Sequence, residues 1–185
     1  MLGGIDEAGR GAWAGPVSAA VVILPADPSL VDQLHGVRDS KQMTPRQREA
    51  WALRIRAAAQ AWGVGYASAA EIDSIGILPA TRLAAMRALE CLTCHPEHLI
   101  TDYLKIPATS TPQTPLVKGD RRSLSVAAAS VLAKTSRDDL MRLYEADFPD
   151  YGFSRHKGYG TLIHRQAIQR CGLCAIHRHS FAIHP

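Results

Sequence analysis

The stretch "GIDEAGRGAWAGPV" (residues 4–17) limits what this chain can become more than any other. Two adjacent acids, Asp6 and Glu7, close a short strand-like run, and Gly9, Gly11, Gly15 and Pro16 follow at once. Successive strand residues face opposite ways. Both acids therefore reach one pocket only where the strand ends and the glycine-rich backbone can twist. Carboxylates brought together repel and disturb each other's protonation unless a hard divalent cation sits among them. The simpler alternative is that one of the pair is a solvated surface residue. The glycine spacing fits neither a dinucleotide fingerprint nor a Walker A loop. Missing side chains let a ligand's backbone approach closely, and Arg10, lodged between glycines, can pair with phosphate. Acids that hold cations, cations that hold a phosphodiester, and a glycine loop against the neighbouring sugar account for all of these features.

The rest of the chain places this stretch in a sheet. "VSAAVVIL" (17–24) lies between Pro16 and Pro25 and reads as a second strand. Thr44 caps a helix that has Pro45 at its first position and stops near Gly63. "GVGYASA" reads as a third strand, so the first three should form an antiparallel meander. Ser68 with Glu71 is a capping box before a short helix, and Pro79 begins another. "HLITDY" (98–103) is a fourth strand, reached across helices and so expected to run parallel to the first. Residues 104–117, rich in Pro and Thr, read as an exposed loop. Residues 121–148 read as one long helix, and 149–185 as short pieces rich in His, Arg and Gly. This is an α/β pattern, a sheet with helices packed against it. With 185 residues, 46% of them apolar, a single domain over 1–185 is expected, with about 145–185 as a C-terminal appendage.

Two further acids fall where the pattern makes them informative. Asp102 ends an apolar strand, and sites in open α/β sheets lie beyond the carboxyl ends of strands. A fourth strand parallel to the first sets Asp102 beside Asp6, unless Asp102 only closes a strand at a turn. On the long helix, Leu124, Ala127, Ala128, Val131, Lys134, Thr135, Asp138 and Met141 share a face. Lys134 and Asp138 interrupt that otherwise apolar face. Such a pair needs a partner or a site, or else Lys134 simply neutralises Asp138.

Charge and cysteines bound the partners. A net charge of +4 and a pI near 9.0 permit a polyanionic partner. No apolar run approaches the ~20 residues of a membrane span. No basic segment precedes an apolar one at the N-terminus, so a soluble, cytoplasmic protein is expected. Cys91 with Cys94 and Cys171 with Cys174 form two C-x-x-C pairs about 75 residues apart. Zinc sites more often space such pairs by ~15–20 residues. His95 completes a haem-attachment spelling, but that chemistry belongs to exported proteins. Reduced cytosolic thiols are the plainer reading.

"GIDEAGRGAWAGPVSAAVVIL", "DSKQMTPRQRE", "EIDSIGILPATRLAAMRAL", "LVKGD", "SLSVAAASVLAKTSRD", "HKGYGT" and "IHRHSF" together resemble bacterial ribonuclease HII, in order and across nearly the whole chain. The resemblance implies a ribonuclease H-like fold, with a central mixed five-stranded sheet flanked by helices and a small helical C-terminal part. It implies metal-dependent endonucleolytic cleavage of RNA in RNA–DNA hybrids and nicking 5′ of single ribonucleotides in duplex DNA. The ends would be 5′-phosphate and 3′-hydroxyl, in the service of ribonucleotide removal during replication and repair. Residue by residue, it assigns catalysis and metal binding to Asp6, Glu7, Asp102 and Asp138. Two Mg²⁺ or Mn²⁺ ions would activate water and stabilise the leaving 3′-oxygen. Gly9, Arg10 and Gly11 match the family's reader of the 2′-hydroxyl, the group that separates RNA from DNA. Tyr159 matches the tyrosine that packs on the sugar at the RNA–DNA junction.

Lys41 and Lys118 are expected substrate contacts. Arg121, Arg122, Arg155, Lys157 and Arg178 are further candidates for phosphate pairing, which would make binding salt-dependent. His156, His177 and His179 match family motifs that bind no structural metal. The implied partners are hybrid duplex and ribonucleotide-containing DNA, with no membrane and a monomeric enzyme. Three features depart from the family. Tyr103 stands where glycine is common and has the bulk to crowd the scissile site, Cys174 interrupts "GLCAIHR", and little chain follows "SFAIHP" to grip duplex. The alternatives are a non-catalytic nucleic-acid-binding module on the same fold, a relative restricted to long hybrids, and a zinc-stabilised interaction protein.

Overall fold

The computed structural model describes residues 1–37 and 40–183. In chain order the elements are β1 (Leu2–Ala8), β2 (Val17–Ile23), α1 (Leu30–Gln33), α2 (Pro45–Ala58), β3 (Ala61–Ala67) and α3 (Ala69–Ile75). Then follow α4 (Ile77–Glu90), β4 (His98–Asp102), β5 (Gln113–Leu116), α5 (Leu124–Asp147), α6 (Phe153–His156) and α7 (Leu162–Cys171). Short 3₁₀ turns occupy Ser40–Gln42 and Gly119–Arg121. The sheet order is β3-β2-β1-β4-β5. β1, β2 and β3 form the expected antiparallel meander, and β4 and β5 extend it parallel to β1.

Local chemistry sets most of the boundaries. Thr44 and Gln47 exchange side-chain and backbone hydrogen bonds at the start of α2, with Pro45 leading the helix. Ser68 and Glu71 do the same for α3. α4 begins two residues before Pro79, which sits in the first turn where a helical amide needs no partner. One expectation fails. Gln113–Leu116, within the stretch read as loop, is an edge strand paired with β4. An edge position tolerates Pro115, whose missing amide would break an interior ladder.

Each face of the sheet is covered. α4 packs Ala84, Ala85 and Ala88 against Ile5, Ala19, Val21 and Leu99. α2 and α5 cover the other face, with Ile55, Ala128, Val131 and Leu132 against Ala20 and Val22. α5 lies directly on β1, since a Cβ on Gly4 would fall 2.2 Å from the Ser125 carbonyl carbon. A third cluster, including Met141, Tyr151, Phe153 and Ile168, joins α6 and α7 to the second half of α5.

That third cluster encloses a histidine chain. His156 and His164 stack at 4.3 Å between ring centroids. His164 Nδ1 lies 3.0 Å from the Tyr159 carbonyl, so it carries the proton and donates. Its Nε2 must then accept from His177 Nε2, 3.0 Å away. His177 Nδ1 in turn accepts from the Cys174 amide at 2.9 Å. Both rings are neutral in this arrangement. Burial pushes the pKa of each down from 6.5 to about 4. The folded protein therefore binds fewer protons than the unfolded chain between these values, so their contribution is present above 6.5 and lost as pH falls through about 4. Thermal unfolding followed across that window should show Tm falling steadily on acidification. A flat Tm would contradict the neutral, packed pair.

Candidate active site

The acids are positioned by the sheet register. β1 and β4 run parallel with Ile5 beside Thr101, and one residue further along both strands are Asp6 and Asp102. β1 stays paired to β2 through Ala8. Asp6 and Glu7 thus sit within a regular strand, before the twist expected beside them. Asp6 lies opposite Ala20, on the α5 face, and Glu7 opposite Ala19, on the α4 face.

Asp6 is buried, with Ser130 of α5 close enough to lower its pKa, and one of its oxygens accepts from the Glu7 amide at 2.7 Å. Burial raises its pKa from 3.8 to about 8, with the charges of Glu7 and Asp102 adding to the rise. Burial also raises Glu7, opposed by its ion pair with Arg10 at 3.1 Å. Glu7 Oε2 is buried and has no hydrogen-bond partner among the described residues. Asp102 accepts from the Gly119 amide at 2.8 Å. Asp6, Glu7 and Asp102 therefore press on one another electrostatically. Among the described residues, no three acid, histidine or cysteine side chains are grouped closely enough to enclose an ion as they stand.

Asp138 does not join them. Its carboxylate is buried between Arg48 of α2, at 3.2 Å, and Lys134, at 2.6 Å, with one oxygen given to each. The neutralising role open for Lys134 is the one observed, doubled by Arg48. Asp120, an acid not singled out from the sequence, follows Gly119 in the 3₁₀ turn whose Gly119 amide bonds Asp102. The signal was present in "LVKGD".

The glycine loop is held from inside by two fully buried arginines. Arg137 of α5 donates to the carbonyls of Pro16, Ala14 and Lys157 at 2.8, 3.0 and 2.9 Å. Arg178 donates to those of Gly15, Arg10 and Gly9 at 3.0, 2.9 and 2.7 Å. Burial, with Arg137 nearby, lowers the Arg178 pKa to about 9. Expected to meet phosphate, Arg178 instead spends its donors on backbone. Lys157 also turns inward, donating to the Ser154 carbonyl. The amides of Trp13 and Ala14 donate to the Gly158 carbonyl, and that of Gly15 to Ile176. Gly9 has φ +91°, and a Cβ there would strike Arg137 Nε at 2.1 Å. Gly11 faces open space, with nothing within 4 Å of a Cβ.

A cleft of about 570 Å³ opens beside this loop, lined by Glu7, Gly9, Arg10, Gly11, Lys41, Lys134, Tyr159, Ile77 and Phe181, among others. Tyr159 is half-buried, its ring 5.2 Å from the Lys134 ammonium and 5.4 Å from the Arg137 guanidinium carbon. Lys41 lies near enough to lower the Glu7 pKa. Ile77 and Phe181 were not singled out from sequence, because apolar residues in short segments read as core. Lys118, Arg121, Arg122 and Arg155 are exposed. Tyr103 is 77% exposed and is not among the residues lining this cleft. The cysteines are free thiols, and none belongs to a metal-binding group among the described residues.

A mixed sheet with acids at the ends of neighbouring parallel strands, beside a glycine loop and a basic cleft, defines a ribonuclease H-like nuclease. Solved structures share the fold. Ribonuclease H2 from Pyrococcus horikoshii matches with a TM-score of 0.81 at 24% identity, over 98% of this chain and 94% of that one. The ribonuclease HII–PCNA complex from Archaeoglobus fulgidus matches with a TM-score of 0.79 at 26% identity, over 97% and 92%. The sequence profile of the ribonuclease HII family fits residues 3–184. Ribonuclease HII of Chloroflexus aurantiacus is 53% identical over 181 residues, 97% of this chain and 85% of that protein. The Moorella thermoacetica enzyme is 49% identical over 180 residues, with 97% and 85% covered. This chain belongs to the ribonuclease HII family. It is an endoribonuclease, a hydrolase that cleaves RNA in RNA–DNA hybrids and serves ribonucleotide removal. Among the described residues no helix is long and apolar enough to cross a membrane.

The Asp6 environment makes a prediction for metal-free protein. Asp6 holds its proton more tightly folded than unfolded, so its contribution is complete below 3.8 and is lost as pH rises through about 8. Asp6→Asn should therefore raise Tm above pH 8 in chelator and change it little near pH 4. Equal effects at both ends would contradict the buried-carboxylate account.

Proposed function

We propose that Asp6, Glu7 and Asp102 hold divalent cations, Mg²⁺ or Mn²⁺, against the scissile phosphodiester, with Asp120 beside them in the fourth place expected for Asp138. The carrying observation is the orphaned Glu7 Oε2 next to an Asp6 carboxyl pushed up to about 8. Buried carboxylates in that state fit a hard cation better than any group now facing them. A pair of ions bound there would activate water and stabilise the leaving 3′-oxygen.

The remaining roles belong to the chain itself. The backbone at Gly9–Arg10–Gly11 reads the 2′-hydroxyl, which the open space at Gly11 admits. Arg10, half-exposed and paired with Glu7, is free to exchange that partner for phosphate once cations neutralise the acids. Tyr159 packs on the sugar at the RNA–DNA junction. Asp138 acts as a positioning residue, since it fixes Lys134 and Lys134 lies against the Tyr159 ring. Lys41 and Lys118 contact phosphates on either side. The product is a nick 5′ of the ribonucleotide, with 5′-phosphate and 3′-hydroxyl ends. In this reading residues 1–185 form one catalytic domain that works as a monomer on cytoplasmic DNA.

Duplex DNA carrying one labelled ribonucleotide tests this, with Mg²⁺, with Mn²⁺ and with chelator. Metal-dependent nicking on the 5′ side is expected, and Asp102→Asn should slow it by roughly a hundredfold or more. Cleavage that survives chelator, or that Asp102→Asn leaves intact, would overturn the assignment. Duplex binding without any cleavage would favour the binding-module alternative.

A further inference from the structure

Tyr103 is the residue after Asp102, and its backbone is left-handed, at φ +58°. A Cβ crowds the chain in that region, and glycine is favoured there. The conformation is imposed, because the Tyr103 amide donates to the carbonyls of both Thr101, at 3.1 Å, and Leu116, at 3.0 Å, where β4 and β5 end. Burial of the ring does not offset the strain, since Tyr103 is 77% exposed. A strained, uncovered aromatic directly beside an acid of the site is hard to explain by folding alone.

Its surroundings indicate what the ring meets. Beyond Leu116 the chain continues into Val117, itself 61% exposed, and then the exposed bases Lys118, Arg121 and Arg122. Gly119, between them, donates to Asp102. β5 lies beyond β4, whereas the glycine loop leaves from β1. The acids are thus flanked on one side by Tyr159 with the glycine loop, and on the other by Tyr103 with three bases. An exposed aromatic residue at the end of a strand whose neighbouring strand runs on into exposed bases is the kind of surface a nucleic-acid strand uses, the ring stacking and the bases pairing with phosphate.

We propose that Tyr103 is a substrate-positioning residue that stacks on a sugar or base of the duplex, on the side of the cleavage point opposite Tyr159, with Lys118, Arg121 and Arg122 on the adjoining phosphates. The proposal rests on the acids marking the cleavage point.

Equilibrium binding in chelator tests it separately from catalysis. The probes are a duplex with one central ribonucleotide and two shortened duplexes, each lacking base pairs on one side. Tyr103→Ala should weaken binding to the full duplex about tenfold, and Tyr103→Phe, which keeps the ring, should restore it. The deficit should vanish on one shortened duplex and persist on the other. Tyr103→Gly should bind as poorly as Tyr103→Ala yet melt at a higher temperature, because glycine accepts the left-handed backbone. Equal binding by Tyr103→Ala and wild type, or a deficit equal on both shortened duplexes, would overturn the proposal. Neither result touches metal-dependent cleavage, and loss of the metal-site reading would leave the binding difference standing.

Discussion

Arg137 and Arg178 bring two positive charges into the interior, where each is satisfied by three backbone carbonyls and neither has a carboxylate partner among the described residues. A glycine-rich loop suits this arrangement. It has few side chains to bury and many carbonyls to turn inward. Removing either guanidinium would strand several buried acceptors at once, a heavier loss than any single hydrogen bond. The loop is therefore fixed from beneath, by α5 and by the segment after α7, leaving Gly11 open towards the cleft. A rigid backbone can recognise a hydroxyl by position, which a mobile loop of glycines could not.

α5 ties this loop to the acids. Ser130, Lys134, Arg137, Asp138 and Met141 recur at helical spacing along one stripe. Ser130 lies beside Asp6, Lys134 bridges Asp138 and the face of Tyr159, and Arg137 holds the loop. The helix can reach all of them because its small residues let it lie against Gly4 of β1. The same closeness buries Asp6 and raises its pKa. Packing that stabilises the sheet thus creates an electrostatic conflict at its carboxyl edge, and a bound cation would relieve it.

Much of this was legible in the sequence, for physical reasons that can be named. The Thr44 and Ser68 caps, the apolar strand 17–24 and the alanine-rich face of α5 are local signals, and the structure follows them. Asp6 and Asp102 were found because a parallel pairing of their strands sets their ends side by side. What stayed hidden depends on distant partners. β5 forms from a Pro- and Thr-rich stretch because β4 offers an edge to pair with, not because its residues favour a strand. Helical spacing placed Asp138 on the packed face, but Arg48, 90 residues away, is what occupies it. Arg178 has the composition of a surface base, and only the folded loop shows that its charge is internal. Gly9 and Gly158 are visible as glycines, whereas at Tyr103 the left-handed backbone shows only in the position's usual glycine, not in the tyrosine itself.

Amide hydrogen exchange on Arg178→Lys, compared with wild type, tests the dependence of the site on its buried guanidiniums most directly. Lysine keeps the charge but cannot reach three carbonyls with a planar fork. Faster exchange confined to residues 9–16, with protection of the β1–β3 amides unchanged and slower nicking at a single ribonucleotide, is the predicted result. Unchanged exchange in the loop together with undiminished nicking would contradict the account.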